Sequence, residues 1–197
     1  EMSSVYSSMA KVVPPAAVGS ARVEHFDVSP DDAKHFIMMS QGREYIQPGT
    51  YARLYVGGSL MMSDTYMEQR TNSSAVRSAT GDVLIGGLGI GLIIVPMLAK
   101  PAVTSVTVIE KSADVIALVE PALRQMLNAD KLTVICADVK TWQPERKARQ
   151  FDFIYMDIWP NRSVDEVTER QTLHKKYRAW LRKGGTVTSW EYEHLRY

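Results

Sequence analysis

The chain has 197 residues, with 23 Lys and Arg against 22 Asp and Glu and a formal net charge of +1. This length suits one α/β domain with a small addition, and the charge balance gives no support to a large, strongly basic nucleic-acid-binding surface. The single cysteine, Cys136, excludes an intrachain disulfide and favours a reducing, cytoplasmic location. No apolar run reaches the roughly 18 residues of a membrane span, so no membrane partner is expected.

The first 79 residues are predicted to form a small N-terminal cap that contains β structure. Residues 1–21 are rich in serine, alanine and valine and contain two consecutive prolines, which favours a mobile or extended arm. Ser29-Pro30 followed by two aspartates is typical of a helix start, and Gly57-Gly58 between two β-prone runs predicts a hairpin. Ser63–Ala79 is interpreted as helix plus loop, because a run of four polar residues weakens its helical pattern.

Strands and helices alternate from residue 80 to residue 197. Three of the β-prone runs are followed by a stretch of helical length, and the run 132–136 is followed by a polar stretch, 140–150. This alternation predicts a Rossmann-like, doubly wound, mainly parallel sheet. In such sheets, ligands bind beyond the carboxyl ends of the strands, near the point where the strand order reverses. The predicted strands are 83–85, 105–109, 132–136, 151–156 and 186–190, and the predicted helices are 90–98, 113–127 and 164–181.

A glycine-rich turn follows the first of these strands. Gly87, Gly89 and Gly91 have the spacing G-x-G-x-G, whereas the dinucleotide fingerprint G-x-G-x-x-G requires glycine where the chain has Leu92. Glycines let the backbone approach a ligand closely, and a helix start offers unpaired N–H groups. The turn therefore favours an adenosine-containing cofactor other than NAD, with a plain glycine-rich strand–helix turn as the alternative.

Polar or aromatic side chains follow the next three predicted strands. Glu110 can accept hydrogen bonds from both ribose hydroxyls, and Asp138 can accept one from the adenine amine. Asp157 can position or deprotonate an amine at the edge of the cofactor cleft, and Trp159 can stack against a flat or cationic group. The alternatives are a Glu110 that only begins a helix, a capping Asp138 and a Trp159 that only packs against the next helix.

These features resemble the class I S-adenosylmethionine-dependent methyltransferases, and within them the spermidine-synthase-like group. The resemblance covers about residues 80–190 and rests on the glycine turn and on the acids at positions 110, 138 and 157. A looser likeness to spermidine synthases covers Arg53–Arg70, including the segment Met62–Glu68. The resemblance over residues 80–190 implies S-adenosylmethionine as the cofactor.

The resemblance also implies roles for individual residues. Asp157, Tyr66 and Glu68 would be catalytic. Asp64 and Trp159 would contact the substrate. The implied cofactor-binding residues are Gly86, Gly87, Leu88, Gly89, Gly91, Glu110, Lys111, Asp138, Val139 and Asp157.

Three positions depart from the family patterns. Methyltransferases usually carry an acid two residues before the first glycine, where this chain has Ile85, and spermidine synthases carry an acid at the position of Ile90. Spermidine synthases also carry D-x-x-D-P after the fourth strand, against Asp157-Ile158-Trp159-Pro160 here. The missing second aspartate argues against aminopropyl transfer to a polyamine, which needs several carboxylates.

The expected function is therefore methyl transfer from S-adenosylmethionine to a small-molecule acceptor, without a metal. The first alternative is aminopropyl transfer from decarboxylated S-adenosylmethionine, and the second is a catalytically silent member that binds a nucleoside or a partner protein. Nucleic acid is not an expected partner, because the basic end of the helix predicted at 164–181 matches the helix dipole. Cys136 is expected to be a buried structural thiol.

Only seven residues, Glu191–Tyr197, follow the last predicted strand. The full fold usually has a further antiparallel pair of strands, so the chain is either truncated or has dispensed with that edge. An exposed sheet edge can pair with a second subunit, and this favours a homodimer.

Overall fold

The computed structural model describes residues 5–42, 45–160 and 166–191, in which two β-sheets are present. The strands β1 (Ala16–Val18), β2 (Ala21–Val28), β3 (Gly49–Val56) and β4 (Ser59–Ser63) form an antiparallel sheet in that order. The strands β5 (Gly81–Gly86), β6 (Val103–Glu110), β7 (Leu132–Cys136), β8 (Phe151–Met156) and β9 (Leu181–Ser189) form a parallel sheet. Their spatial order is β7-β6-β5-β8-β9.

Helices connect the parallel strands and flank the antiparallel sheet. In the described part of the chain they are α1 (Met9–Val12), α2 (Pro30–Met39), α3 (Tyr66–Ser78), α4 (Ile94–Ala99), α5 (Ala113–Leu123) and α6 (Val167–Tyr177). None of them, within the ranges given above, is both long enough and apolar enough to cross a bilayer. The strand order reverses at β5, and the predicted Rossmann-like α/β fold is confirmed.

The local signals of the N-terminal part are confirmed at two places. Ser29 caps α2: its hydroxyl accepts from the Asp32 N–H at 3.1 Å, and the Asp32 carboxylate accepts from the Ser29 N–H at 3.0 Å. β3 and β4 form the predicted hairpin around Gly57-Gly58. Both features depend on contacts between close neighbours in the sequence, which is why the sequence predicts them well.

Of the two alternatives for the first 21 residues, a mobile arm is wrong for residues 5–21, whereas an extended segment is found at Ala16–Val18. Met9 and Val13 are completely buried, and the Met9 N–H donates to the Asp64 carboxylate at 2.8 Å. Ala16–Val18 pairs with β2 as an edge strand. Burial of two apolar side chains stabilises the segment, although its composition is typical of a loop.

The expected interruption of α3 is also wrong, because α3 is continuous from Tyr66 to Ser78. Polar side chains of α3 donate hydrogen bonds to backbone carbonyls of the same helix. Thr71 Oγ1 and Asn72 Nδ2 donate to the Glu68 carbonyl at 3.2 and 2.9 Å, and Ser73 Oγ donates to the Gln69 carbonyl at 2.6 Å. These bonds give the polar side chains partners without interrupting the backbone hydrogen bonds of the helix.

Two helices that follow the glycine turn are shorter than predicted. α4 begins at Ile94 rather than Ile90, because Gly91 has φ +83°, which is outside the helical region. α5 is capped by Ser112 as predicted but ends at Leu123, and Leu127 beyond it is 72 % exposed. Nothing buries Leu127, so its apolar character does not extend the helix.

The last helix and strand also differ from the prediction. α6 ends at Tyr177 and is followed by a short 3₁₀ turn, while positions 164 and 165 of the predicted helix lie outside the described residues. β9 begins at Leu181 instead of Thr186. Phe151 lies opposite Leu181 whereas Phe153 lies opposite Thr186, so β9 contains a bulge that the sequence pattern conceals.

Cys136 is exposed, so the predicted buried thiol is wrong. It is the last residue of β7, and β7 pairs only with β6 within the described residues. An edge strand leaves its final residue uncovered, which the apolar character of the strand did not indicate.

One hydrophobic core connects the two sheets. Val23 and Leu54 of the antiparallel sheet, Leu118 of α5 and Val83 of β5 belong to the same cluster of buried side chains. On the opposite face of the parallel sheet, Leu84 packs in a second cluster with residues of β8 and α6. The antiparallel sheet is therefore packed against the parallel sheet rather than attached by a linker.

Candidate functional site

A cavity of about 410 Å³ lies at the carboxyl ends of β5, β6 and β8, where the strand order reverses. This volume falls within the roughly 300–1,000 Å³ that is usual for small-molecule sites. Leu54 and Met62 of the antiparallel sheet form one wall. The polar residues that line the cavity are Glu68, Asn72, Glu110, Lys111, Ser112, Asp138, Lys140, Asp157, Glu166 and Glu169.

The glycine turn is held tightly between β6 and β8. The Gly87 N–H donates to the Ile109 carbonyl at 2.9 Å, and the Asp157 N–H donates to the Gly86 carbonyl at 2.8 Å. Gly87 has φ +99°, and a Cβ atom at this position would collide with the carbonyl oxygen of Asp157. Glycine at position 87 thus lets the turn lie directly against Asp157.

Glu110 extends from the end of β6 into the cavity. Its carboxylate accepts hydrogen bonds from the Leu88 N–H and the Ser112 N–H, both at 2.9 Å. These two bonds orient the side chain. A carboxylate offers about four acceptor positions, so Glu110 retains the capacity to accept two hydroxyl groups, as a ribose would require.

The loop after β7 is held from below by α6. Tyr177 Oη donates to the Val139 carbonyl at 2.6 Å, and Lys176 Nζ donates to the carbonyls of Val139 and Lys140 at 3.3 and 3.0 Å. One oxygen of Asp138 accepts from the Lys140 N–H at 2.9 Å. The loop is therefore rigid, and it presents the Asp138 carboxylate and the Val139 side chain to the cavity.

Two carboxyl groups from different parts of the fold face the same cavity. Asp157 follows β8, and Glu68 lies in the first turn of α3. Burial raises the pKa of Asp157 to about 7, and the positive charge of Arg170 opposes this rise. Burial, and secondly the negative charge of Asp157, raise the pKa of Glu68 to about 7. Both groups can exchange a proton near neutral pH.

Glu68 is fixed by the attachment of α3 to the parallel sheet. Tyr155 Oη donates to Asn72 Oδ1 at 2.7 Å, and Asn72 Nδ2 donates to the Glu68 carbonyl. Trp190 Nε1 donates to Thr71 Oγ1 at 3.0 Å. The helix therefore has two polar attachments to strand ends of the sheet, which place Glu68 on the Asp157 side of the cavity.

Arg170 is completely buried beside the loop after β8. Its guanidinium carbon lies 4.0 Å from the centroid of the Trp159 ring, and Nη1 donates to the Trp190 carbonyl. Nη2 lies 3.4 Å from the Glu166 carboxylate. One guanidinium thus connects α6 with the residues that follow β8 and β9, which a planar group with five donors does well.

Trp159 lines the cavity, as predicted for a substrate-binding residue, but it is only 7 % exposed. Its Nε1 donates to Glu169 at 2.9 Å, and Glu169 also pairs with Lys140 at 3.3 Å. Because Arg170 covers one face of the ring, only the remaining surface of the indole is available to a ligand.

The cavity brings together most of the residues that the sequence indicates. The predicted site residues that line it are Glu68, Gly87, Leu88, Gly89, Glu110, Lys111, Asp138, Val139, Asp157 and Trp159. Gly86 and Gly91 do not line it. Gly86 lies against Met156 and Val139, and Gly91 lies against Leu123, so both allow close packing behind the turn.

Asp64 and Tyr66 do not line the cavity either. Asp64 is 2 % exposed, and its two oxygens accept from the N–H groups of Met9 and Ala52, both at 2.8 Å. It therefore connects α1 with β3. Tyr66 is 58 % exposed at the start of α3. Asp64, Tyr66 and Glu68 are close in the sequence but face different surroundings at the start of α3, and of the three only Glu68 lines the cavity.

Sequence reasoning missed several residues of the site. Asn72 was read as part of a polar interruption, and Glu166 and Glu169 were read as a solvated helix face. Trp190 follows the end of β9, so the rule that ligands bind beyond strand ends could have indicated it. Within the described residues, no cluster of three or more His, Cys, Asp or Glu side chains could hold a metal ion.

The comparisons with known proteins concern the fold. No family model matches the chain, and no curated protein matches it. Among solved structures, the spermidine synthase from Thermotoga maritima matches with a TM-score of 0.53 at 15 % identity, covering 89 % of this chain and 55 % of that one. At this coverage the likeness extends beyond the parallel sheet.

Two methyltransferase structures match over a smaller part of the chain. The CcbJ methyltransferase from Streptomyces caelestis matches with a TM-score of 0.48 at 16 % identity, over 61 % of this chain and 46 % of that one. The glycopeptide N-methyltransferase MtfA, complexed with S-adenosylmethionine, matches with a TM-score of 0.44 at 21 % identity, over 59 % of this chain and 46 % of that one.

The chain spans about half the length of the structures that it matches. It has a class I S-adenosylmethionine-dependent methyltransferase-like fold. The resemblance predicted from the glycine turn and the strand-end acids is confirmed at this level.

Proposed function

We propose that the chain binds S-adenosylmethionine in the cavity and transfers its methyl group to the nitrogen of a small amine. The cofactor-binding residues fit this group. Glu110 has acceptor positions left for the ribose hydroxyls, and Asp138 offers a carboxylate to the adenine amine. Gly87, which has no Cβ atom, lets the backbone of the turn lie against the Asp157 carbonyl at the edge of the cavity. Leu88, Gly89, Lys111 and Val139 complete the binding surface.

When bound, the cofactor supplies a sulfonium-activated methyl group for direct displacement. An amine is protonated near neutral pH and must lose a proton before its nitrogen can act as a nucleophile. Asp157, whose pKa is about 7, can accept that proton. Glu68 is placed to hold the amine by charge and hydrogen bonding, and the apolar wall with Leu54 and Met62 limits water access.

The observation that carries this proposal is that Asp157 and Glu68 face the same cavity as the glycine turn, each with a raised pKa. Buried carboxyl groups with raised pKa values are concentrated at functional sites. The pKa of Asp64 is also raised by burial, but Asp64 does not line the cavity, and both of its oxygens accept from backbone N–H groups of α1 and β3.

The second candidate function is aminopropyl transfer from decarboxylated S-adenosylmethionine. The specific observation in its favour is that Glu166 and Glu169 also line the cavity, so four carboxylates are present at the acceptor end. An acceptor with several positive charges would suit such a site. Glu169 is already paired with Lys140, which reduces this negative charge.

Calorimetric titration tests both candidates. Methyl transfer predicts binding of S-adenosylmethionine and of S-adenosylhomocysteine, whereas aminopropyl transfer predicts a clear preference for the decarboxylated cofactor. Transfer of a labelled methyl group to a panel of small amines, phenols and carboxylic acids then identifies the acceptor class. Transfer that is confined to amines and lost in Asp157→Asn is expected.

Three outcomes would contradict the proposal. If the folded protein binds neither S-adenosylmethionine nor S-adenosylhomocysteine nor decarboxylated S-adenosylmethionine, the cavity is not a site for this cofactor. Tight binding without transfer to any acceptor favours a catalytically silent, ligand-binding protein. Transfer that persists fully in Asp157→Asn excludes Asp157 as the base.

A further inference from the structure

Basic side chains are concentrated in two segments, in which Lys140 is the one basic residue that lines the cavity. Residues 140–149 and 175–183 contain nine of the 23 Lys and Arg residues of the chain but a single acid, Glu145. Because the whole chain has a net charge of only +1, the remaining residues are net negative. The near-neutral total conceals a strong local asymmetry.

The fold brings the two segments together at the amino ends of β8 and β9. Arg149 Nη1 donates to the Leu181 carbonyl at 2.8 Å, and the Gln150 N–H donates to the Trp180 carbonyl at 2.8 Å. About 30 residues separate these partners in the sequence, so neither segment alone indicates the combined surface.

Three cations in these segments already have structural partners. Lys140 pairs with Glu169, Lys176 donates to three backbone carbonyls, and Arg182 pairs with Asp82 and Asp152. The other six are exposed and have no ion pair with any described residue, although Arg149 donates one N–H to the Leu181 carbonyl and keeps its other donors and its charge. We call these six residues the basic surface: Arg146, Lys147, Arg149, Lys175, Arg178 and Lys183.

A groove of about 500 Å³ adjoins the basic surface, and Lys147 is the member of that surface that lines it. It is lined by Gln143, Pro144, Glu145, Lys147, Ala179 and Trp180. Trp180 is partly exposed there, and its ring packs against Tyr177 at a centroid distance of 5.8 Å. The indole is therefore held in place beside a free ammonium group.

We propose that the basic surface binds single-stranded nucleic acid, with phosphates contacting the cations and one base stacking on Trp180. Single-strand-binding proteins combine a positive groove with aromatic side chains that stack on unpaired bases. An acidic peptide would use the cations alone, and a duplex has no free base faces for the indole. Lys147 and Glu145 are the two charged residues that line the groove, so the positive charge comes from the cations of the basic surface around it.

This surface is independent of the proposed cofactor site. Glu166 and Glu169 lie at the cavity end of α6, whereas Ala179 and Trp180 follow its other end. The proposal also reverses the expectation, drawn from total charge, that nucleic acid is not a partner. Local arrangement decides electrostatic attraction at distances shorter than about 10 Å, the screening length at moderate salt.

Fluorescence anisotropy with labelled, mixed-sequence oligonucleotides of about 20 nucleotides tests the proposal. Single-stranded RNA and single-stranded DNA form separate arms, and duplex DNA forms a third. We expect single strands to bind more tightly than the duplex, with affinity that falls steeply between about 50 and 200 mM salt. The single strand that binds more tightly, RNA or DNA, identifies the nucleic acid that this surface recognises.

Two variants separate charge from stacking. K147E/R178E should weaken single-strand binding at least about tenfold, and W180A should weaken it about 5- to 100-fold, the range usual for loss of one stacked base. W180F should retain most of the affinity. K34E/R77E, which removes two exposed cations elsewhere, is the matched control and should leave affinity within about twofold.

Circular dichroism and melting curves establish that each variant is folded. The proposal fails if the folded wild-type chain binds no single strand at low salt, or if K34E/R77E weakens binding as much as K147E/R178E. It also fails if W180A binds normally, or if polyglutamate competes as well as the oligonucleotide. None of these measurements uses the cofactor, so their failure leaves the proposed methyl transfer unaffected.

Discussion

The guanidinium of Arg170 lies 4.0 Å from the ring centroid of Trp159, and the arginine side chain is completely buried. The same guanidinium donates to the Trp190 carbonyl and lowers the pKa of Asp157 through its positive charge. Arg170 of α6 therefore holds the residues that follow β8 and β9 in place, and its charge opposes the rise in the pKa of Asp157, the candidate base.

Replacement of Arg170 by methionine should destabilise the chain by roughly 2–4 kcal/mol. The ring contact and the charged hydrogen bond to the Trp190 carbonyl would both be lost. Urea denaturation measures this change. In the same variant the pKa of Asp157 should rise further, because the opposing charge is gone.

Cofactor titration across pH measures that second effect. Binding of the cationic S-adenosylmethionine should tighten as pH rises through about 7 in the wild-type chain, because Asp157 then becomes negative. In Arg170→Met the tightening should occur at higher pH. S-adenosylhomocysteine, whose sulfur is neutral, should show little of this dependence, and an unshifted profile would exclude an effect of Arg170 on Asp157.

Asp157→Asn should make the folded chain more stable near neutral pH. Burial raises the pKa of Asp157 from 3.8 to about 7, so the folded state holds a proton that the unfolded state releases between these values. Wild-type stability must then fall as pH rises through this interval and level off above it. The advantage of the variant should disappear toward pH 4, as measured by urea denaturation at several pH values.

Asp32 provides a control of opposite sign. Hydrogen bonds from Ser29 lower the pKa of Asp32, so its contribution to stability is present above its unfolded pKa and is lost as pH falls. Asp32→Asn should therefore be less stable than wild type at neutral pH. If Asp157→Asn behaved like Asp32→Asn, burial would not be the cause of the raised pKa.

Gly87→Ala should damage the fold more than Gly184→Ala. Both glycines have positive φ, +99° and +83°, which penalises any side chain by roughly 1–2 kcal/mol. A Cβ atom at Gly184 meets nothing within 4 Å, whereas at Gly87 it collides with the Asp157 carbonyl. The extra displacement should add roughly 1–3 kcal/mol. Equal melting temperatures for the two variants would contradict the close approach.

Glu110→Gln should weaken the binding of S-adenosylhomocysteine by roughly 10- to 100-fold, because hydrogen bonds to a charged acceptor are the stronger kind. The amide would also place a donor against the N–H of Leu88 or Ser112. Glu120→Gln, on the surface of α5, is the matched control and should bind normally. Calorimetry on both variants decides whether Glu110 contacts the ligand.

Asn72→Ala should destabilise the chain by roughly 1–3 kcal/mol, because the buried Tyr155 hydroxyl would lose its acceptor. Glu68 should also lose its fixed position, since Asn72 bonds its carbonyl. Ser74→Ala, at an exposed position of the same helix, should change stability by less than about 0.5 kcal/mol. Similar losses in the two variants would show that Asn72 does not attach α3 to the sheet.

The parallel sheet could be predicted well because its signals are local. β7 and β8 begin and end at the predicted residues, since each is a β-prone run with polar residues close to both ends. The acids at 110, 138 and 157 follow strand ends, and topology alone then places them at one edge. Helix ends were less predictable. The start of α4 depends on the positive φ of Gly91, and the end of α5 depends on the exposure of Leu127, neither of which a sequence pattern contains.

Contacts between distant segments account for what sequence reasoning missed. Arg170 falls within the helix predicted at 164–181 and was given no role, yet it is buried by residues that follow β8 and β9. The resemblance implied a substrate contact for Asp64, yet backbone groups of α1 and β3 use both of its oxygens. A side chain's role depends on what packs around it, and these partners come from other elements.

The hydrophobic cluster that includes Val23, Leu54 and Leu118 has a consequence for amide hydrogen exchange. Amides of β2 and β3 cannot open by release of the antiparallel sheet alone, because that event would also uncover α5 and one wall of the cavity. Their slowest exchange should therefore proceed by the same opening that exposes β5. Addition of S-adenosylhomocysteine should slow exchange in β3 and β5 by the same factor.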